Sequence, residues 1–159
     1  MIFVTVGHQM PFDRMIKTVD AWVGARPGLD VFAQIGDAPY IPGNIKYTSR
    51  LTPAEFDAKI RACDIVVAHA GTGTIIKAHE FEKPIWVMPR KASLGETRND
   101  HQVHTVELFL KRGYIKSFED EVELDNLLSH TSVNCGTAIS QFASAQLIEV
   151  ISHYIAEAP

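Results

Sequence analysis

Cysteine, basic charge and long apolar runs are all scarce in this sequence. With only Cys63 and Cys135, the chain cannot build a disulfide framework or a multi-cysteine zinc site. Fifteen Lys and Arg against 19 Asp and Glu leave a net charge of −4, the wrong sign for a strongly basic nucleic-acid binder. No stretch approaches the roughly 20 apolar residues that cross a bilayer. The apolar opening, Ile2 to Val6, lacks a basic leader and breaks at Gly7 too early for a signal peptide. The expectation is a cytoplasmic chain with two reduced, buried thiols, any membrane contact coming through a surface or a partner. Internal repeats and low-complexity tracts are also missing. What remains is 159 residues, 46% hydrophobic and 21% charged, close to a globular average. At about 100–200 residues per domain, that length predicts one domain over 1–159.

Short β-rich runs alternate with segments of helical period. Ile2 to Val6 reads as a strand buried on both faces. Phe12, Met15, Ile16, Val19 and Val23 then recur at helical spacing, with Pro11 suited to the first turn and Pro27-Gly28 ending the segment. Val31 to Ile35 and Ile45 to Thr48 predict two more strands. Thr52-Pro53-Ala54-Glu55 carries the chemistry of a capped helix start, predicting a helix to about Ala62. Strands over Ile65–Ala68 and Ile85–Met88 flank a helix expected from Thr74 to Glu82. An eleven-residue polar loop, Pro89 to Asn99, is long enough to suggest function. Beyond it lie a helix over Asp100–Arg112 closed by Gly113, a strand over Tyr114–Phe118 and a short helix over Glu121–Ser129. Ile139, Ala143, Leu147, Val150 and Tyr154 mark a final amphipathic helix from Thr137 to Ile155. The alternation calls for an α/β fold: a Rossmann-like, mainly parallel sheet with helices on both faces.

Ligands of such folds sit at the carboxyl ends of the strands, which points to loops 7–11, 36–44, 69–74 and 89–102. The strongest signal is His69-Ala70-Gly71-Thr72-Gly73-Thr74, where a strand passes through two glycines and two threonines into a helix start. Glycines allow close backbone approach, and free amides with the helix dipole attract an anion; Thr72 and Thr74 add hydroxyl donors. It is neither a Walker motif nor GxGxxG, and the bland alternative is a tight turn with a threonine cap. Gly7-His8-Gln9 follows a strand in the same way, and a plain turn explains it equally well. Gln34, at the end of a buried run before Gly36, could orient a base or the neighbouring loop. Arg90, Lys91, Gly95, Glu96, Arg98, Asn99, Asp100, His101 and Gln102 combine cations for a diphosphate with groups for sugar hydroxyls. Asn99 or Asp100 could equally cap the helix. His101 and His104 are spaced for metal chelation but lack a third ligand nearby, so no metal is expected. The acidic run from Glu119 to Asp125 reads as a solvated helix start, and nothing local activates Cys63.

Taken in order, these motifs resemble the C-terminal, donor-binding domain of family 28 glycosyltransferases. The opening Ile2-Phe3-Val4-Thr5-Val6-Gly7 with Pro11-Phe12-Asp13-Arg14 resembles the small PssE-type subunits of bacterial exopolysaccharide synthesis. It is similar also to the catalytic subunit of the two-subunit transferase that adds the second GlcNAc to dolichol-diphosphate-GlcNAc. The 69–74 loop, Lys83-Pro84, Pro89-Arg90, Gly95-Glu96 and Arg98 to Gln102 complete the match over about residues 1–118. The resemblance implies half of a GT-B enzyme, in which two Rossmann-like domains close around a UDP-sugar. It implies the diphosphate at Gly7 and Gly71–Thr74, the donor sugar at Asp100-His101-Gln102, the nucleotide near Gln34 and Gly36, and no metal or other cofactor. Larger relatives carry a ribose-binding glutamate where this chain has Lys77, with Glu80 one turn on as a substitute. His8 stands where close relatives often carry threonine and receives no catalytic role.

The resulting expectation is an inverting hexosyltransferase subunit, peripheral to the inner membrane face. A membrane-anchored partner would supply the N-terminal half, the site for a lipid-diphosphate-linked acceptor and the general base. The C-terminal helix could dock on that partner or pack into the core. Self-association of the free chain into a homo-oligomer stays open. A noncatalytic nucleotide-sugar-binding module of a polysaccharide complex is the competing class. A self-contained hydrolase finds no convincing base and water-activating pair here.

Overall fold

The computed structural model describes residues 1–8 and 10–129. Gln9, Cys135 and the helix expected over 137–155 lie outside the described residues. Six parallel strands form one sheet: β1 (Ile2–Thr5), β2 (Val31–Gln34), β3 (Lys46–Thr48), β4 (Ile65–His69), β5 (Ile85–Met88) and β6 (Lys116–Ser117). Five helices accompany them: α1 (Asp13–Gly24), α2 (Pro53–Ala62), α3 (Thr72–Glu80), α4 (His101–Lys111) and α5 (Glu121–Ser129).

The period-2 geometry of a strand explains how one short apolar run serves two cores. Ile2 and Val4 of β1 enter a cluster with Met15, Ile16 and Trp22 of α1 and Leu124 of α5. Phe3 points the other way, among Ile60 of α2, Ile75 and Ala78 of α3 and Val106 of α4. Helices therefore cover both faces, as the alternating sequence requires.

Strand order is β3-β2-β1-β4-β5-β6. The chain winds outward from β1 to β3, then returns to β4 on the other side of β1. That reversal leaves a crevice beyond the carboxyl ends of β1 and β4, where no crossover fills the space. Residues after Thr5 and after His69 meet there.

Local chemistry matches the expectation best at α2. Thr52 Oγ1 accepts from Glu55 N at 3.3 Å, and Glu55 Oε2 accepts from Thr52 N at 2.8 Å, behind Pro53 at the first turn. Two expectations shift. Strand β6 spans only Lys116–Ser117; among the described residues it lies at the sheet edge and pairs with β5 alone. Helix α3 starts at Thr72, not Thr74, with Gly71 as the residue preceding its first turn.

A buried carboxylate fixes the loop after β2. Asp20 of α1 accepts from Tyr40 Oη at 2.7 Å, Gly43 N at 3.0 Å and Asn44 N at 2.7 Å. Burial alone would raise its pKa, but these donors outweigh it and hold the carboxyl below its ordinary value.

Candidate functional site

Two cavities open at the crevice and share a waist. The larger, about 490 Å³, has apolar walls from Leu51, Pro53 and Phe56, with Asp57 and Lys77 at its polar edge. The smaller, about 390 Å³, is lined by His69, Arg90, Thr97, His101 and Gln102, together with Met10. Gly7, His8, Gly73 and Thr74 line both.

The first side of the waist is the turn after β1. Thr5 Oγ1 accepts from Gly7 N at 3.2 Å and donates to Gln34 Oε1 at 2.6 Å. Gln34 Nε2 in turn donates to the carbonyls of Gly7 at 2.9 Å and Ser49 at 3.4 Å. Gln34 is buried, so its amide is spent on orienting neighbouring loops, one of the two uses its position suggested. It still borders the larger cavity.

The second side is the turn from β4 into α3. Gly71 offers no side chain to cap the helix, so the threonine cap is overturned. The first amides of α3 keep the unpaired character of any helix start, and two of its first residues, Gly73 and Thr74, line the waist.

Between the two turns lies the His69 ring. A Cβ at Gly7 would come within 2.5 Å of His69 Cε1, and one at Gly71 would overlap Nε2. Both positions must be glycine for the ring to fit. His69 Nδ1 is buried and makes no hydrogen bond of normal geometry. Burial, with the Arg90 charge, pushes the ring down to about pKa 4, and the nearby Thr5 main chain offsets only part of this. His69 is therefore neutral at pH 7.

The sign of its effect on stability follows. Above pH 6.5 the ring is neutral folded and unfolded. As pH falls toward 4, the unfolded chain takes up a proton that the folded one refuses, so stability is lost. The loss should reach roughly 3 kcal/mol by pH 4. Urea unfolding of wild type and His69→Gln between pH 7 and 4 should diverge by this amount. Parallel curves would remove His69 as the cause.

The loop after β5 is built around Arg90, which is 4% exposed. Its guanidinium donates to the carbonyls of Val6 at 3.0 Å, Met10 at 2.7 Å, Pro11 at 2.6 Å and Glu96 at 3.4 Å. It also stacks on Phe12, 4.5 Å from the ring centroid. The expected diphosphate cation is thus a clamp on the β1–α1 turn, with its four terminal N–H groups already engaged. Lys91 pairs with Glu119 at 2.9 Å, and Glu96 accepts from Arg14 at 2.7 and 3.0 Å. Gln102 is buried and accepts from Arg90 N at 3.2 Å.

Nine of the candidate residues, Gly7, Gln34, His69, Gly71, Gly73, Thr74, Arg90, His101 and Gln102, line one cavity or both. Four fall outside both linings. Thr72 is exposed on the first helical residue. Gly36, at φ +66°, serves the turn after β2 and donates to Ser49 O at 2.9 Å. Asn99 Oδ1 bonds the His101 ring and main chain, while Asp100 Oδ1 accepts from Ala92 N at 2.8 Å instead of capping α4. Lys77 pairs with Asp57 at 3.5 Å and Glu80 at 3.1 Å.

The apolar wall was not read from the sequence. It comes from the segment after β3, at Leu51 to Asp57. Once Ile45–Thr48 is taken as a strand, the carboxyl-end rule points to that segment as well as to the four loops considered. Thr97 lines the smaller cavity too, and its small neutral side chain carries no signal of its own among charged neighbours. Cys63 behaves as a buried structural thiol, pushed up to about pKa 11 by burial. Among the described residues, no three His, Cys, Asp or Glu side chains gather as metal ligands.

A doubly wound parallel sheet with a divided cleft at its switch point defines a Rossmann-like α/β domain. The sequence assigns the particular family: residues 1–146 match the glycosyltransferase family 28 C-terminal domain, and the chain belongs to that family. No curated protein sequence matches this one closely enough to count as a relative. Among solved structures, the kitacinnamycin glycotransferase superposes with a TM-score of 0.61 at 19% identity, over 80% of this chain and 34% of that one. MurG of Acinetobacter baumannii gives 0.58 at 14% identity, over 84% and 42%. The Staphylococcus aureus MnaA–UDP complex gives 0.62 at 15% identity, over 99% and 47%. At these identities the likeness establishes the shared GT-B half, and the chain spans less than half the length of each. Among the described residues, no helix is long and apolar enough to cross a membrane.

Proposed function

We propose that this chain is the donor-binding half of an inverting glycosyltransferase that uses a UDP-hexose. The observation that carries the reading is the pair of cavities joined at Gly7, His8, Gly73 and Thr74. Their chemistry follows the order of groups in a nucleotide sugar. The apolar chamber, with Phe56, suits a base, and Asp57 and Lys77 at its edge suit ribose hydroxyls. The waist suits the diphosphate, held by the first amides of α3. The polar chamber, with His101 and Gln102, suits the hexose.

Residues 1–159 act as one donor-binding unit in this reading. A separate membrane-anchored subunit supplies the other half, the lipid-diphosphate-linked acceptor and the base that deprotonates the acceptor hydroxyl. That hydroxyl attacks the anomeric carbon with inversion, and the bond to the β-phosphate oxygen breaks with its electron pair leaving on UDP. Closure of the two halves excludes water from the donor. The enzyme serves glycan or exopolysaccharide assembly at the inner membrane face.

The test is transfer of labelled hexose from a panel of UDP-sugars to a lipid-diphosphate acceptor, with and without the partner. Transfer is expected from one UDP-sugar, only with both subunits present, and unchanged by EDTA because amides and side chains hold the diphosphate. Full activity of the isolated chain would sink the divided enzyme.

A further inference from the structure

We propose that His8 is a phosphate-binding residue at the waist between the two cavities; this rests on the nucleotide-sugar reading above. A diphosphate there gains from a side-chain donor beside the first amides of α3, and both cations lining the cavities are already engaged. Arg90 donates to four carbonyls, and Lys77 pairs with Asp57 and Glu80. The other two imidazoles are also committed: His69 is wedged between Gly7 and Gly71, and His101 is bonded to Asn99.

His8 differs from all of these. It is exposed, lines both cavities, and makes no hydrogen bond or ion pair to another described residue. Its backbone is nevertheless held on both sides. Gln34 grips the Gly7 carbonyl, and Arg90 grips those of Met10 and Pro11. An imidazole with no partner among the described residues thus stands at the junction of both chambers, between held carbonyls on either side. Its ring N–H can donate to a phosphate oxygen. Thr74 brings a hydroxyl to the same waist from the opposite turn. Together with the α3 amides they close a three-sided phosphate seat.

The experiment is calorimetric titration of the full chain with UDP and with uridine. His8→Ala is expected to weaken UDP binding about tenfold or more, the effect of a lost hydrogen bond to a charged group. Uridine, which lacks phosphate, should bind wild type and variant equally. His8→Lys, which keeps an N–H donor at this position, should hold UDP affinity within about threefold of wild type. Equal UDP affinity in wild type and His8→Ala overturns the proposal. So does an equal loss of UDP and uridine binding, or a lysine variant as weak as alanine. In those outcomes the nucleotide-sugar reading stands. Wild type that binds neither UDP nor uridine overturns that reading and this proposal together.

Discussion

Arg90→Met is expected to cost about 3–5 kcal/mol of stability and to lower the melting temperature by about 10 °C. Methionine fills much of the same volume, so the loss reports hydrogen bonding instead of a cavity. Without the guanidinium, the carbonyls of Val6, Met10 and Pro11 lose their donor at the end of β1. The Val6 carbonyl is the buried one, and an unpaired buried acceptor costs about 1–3 kcal/mol; the two half-buried bonds and the stacking on Phe12 are lost as well. Burial pulls the Arg90 pKa down, with the Glu96 carboxylate working against it, yet a guanidinium stays charged. Arg90→Lys should recover only a minor part, since one ammonium cannot reach carbonyls on several sides. Thermal melts of the three proteins provide the measurement, and amide exchange at residues 6–12 should accelerate in both variants. A loss under about 1 kcal/mol in Arg90→Met would show that the clamp is not needed.

The second large effect is at the two glycines around His69. Gly71→Ala places a methyl group into the imidazole, and overpacking of this kind costs about 1–3 kcal/mol. Relief by movement of the β4–α3 turn would shift the first amides of α3, so UDP affinity should fall more than tenfold in the same variant. Gly7→Ala meets the same ring and adds a backbone cost, because φ at Gly7 is +79°. A His69→Ala background separates the two causes. There Gly71→Ala should become nearly neutral, since its φ of −83° suits any residue. Gly7→Ala should retain about 1–2 kcal/mol from the left-handed backbone alone. Equal costs for Gly71→Ala with and without the imidazole would refute the wedge.

These two effects mark where reading the sequence stopped. Strands and helices were legible because their signals are local. Ile2 to Val6, Val31 to Ile35 and Ile65 to Ala68 are apolar runs of strand length, and Thr52-Pro53-Ala54-Glu55 is a complete capping box. The β4–α3 turn was legible from its two glycines. The roles of individual side chains around it were not. Arg90 looks like a free cation beside Lys91, and only the position of the β1–α1 turn shows that its N–H groups are engaged. Asn99 and Asp100 sit in the most polar stretch of the chain, yet each is bonded within its own loop. Leu51, Pro53 and Phe56 look like an ordinary loop and helix start. They become a cavity wall because α2 begins at the carboxyl edge of the sheet, across the waist from α3.

By itself, then, the sequence determined the alternating α/β pattern, the family and the loops that form the cleft. Hydrophobic period, caps and glycines act over a few residues, so they can be read along the chain. Tertiary structure alone decided which side chains face that cleft and which are spent holding it. The strand order sets β1 between β2 and β4, bringing together the turns at Gly7 and Gly71, 64 residues apart, whose hydrogen bonds no local pattern encodes.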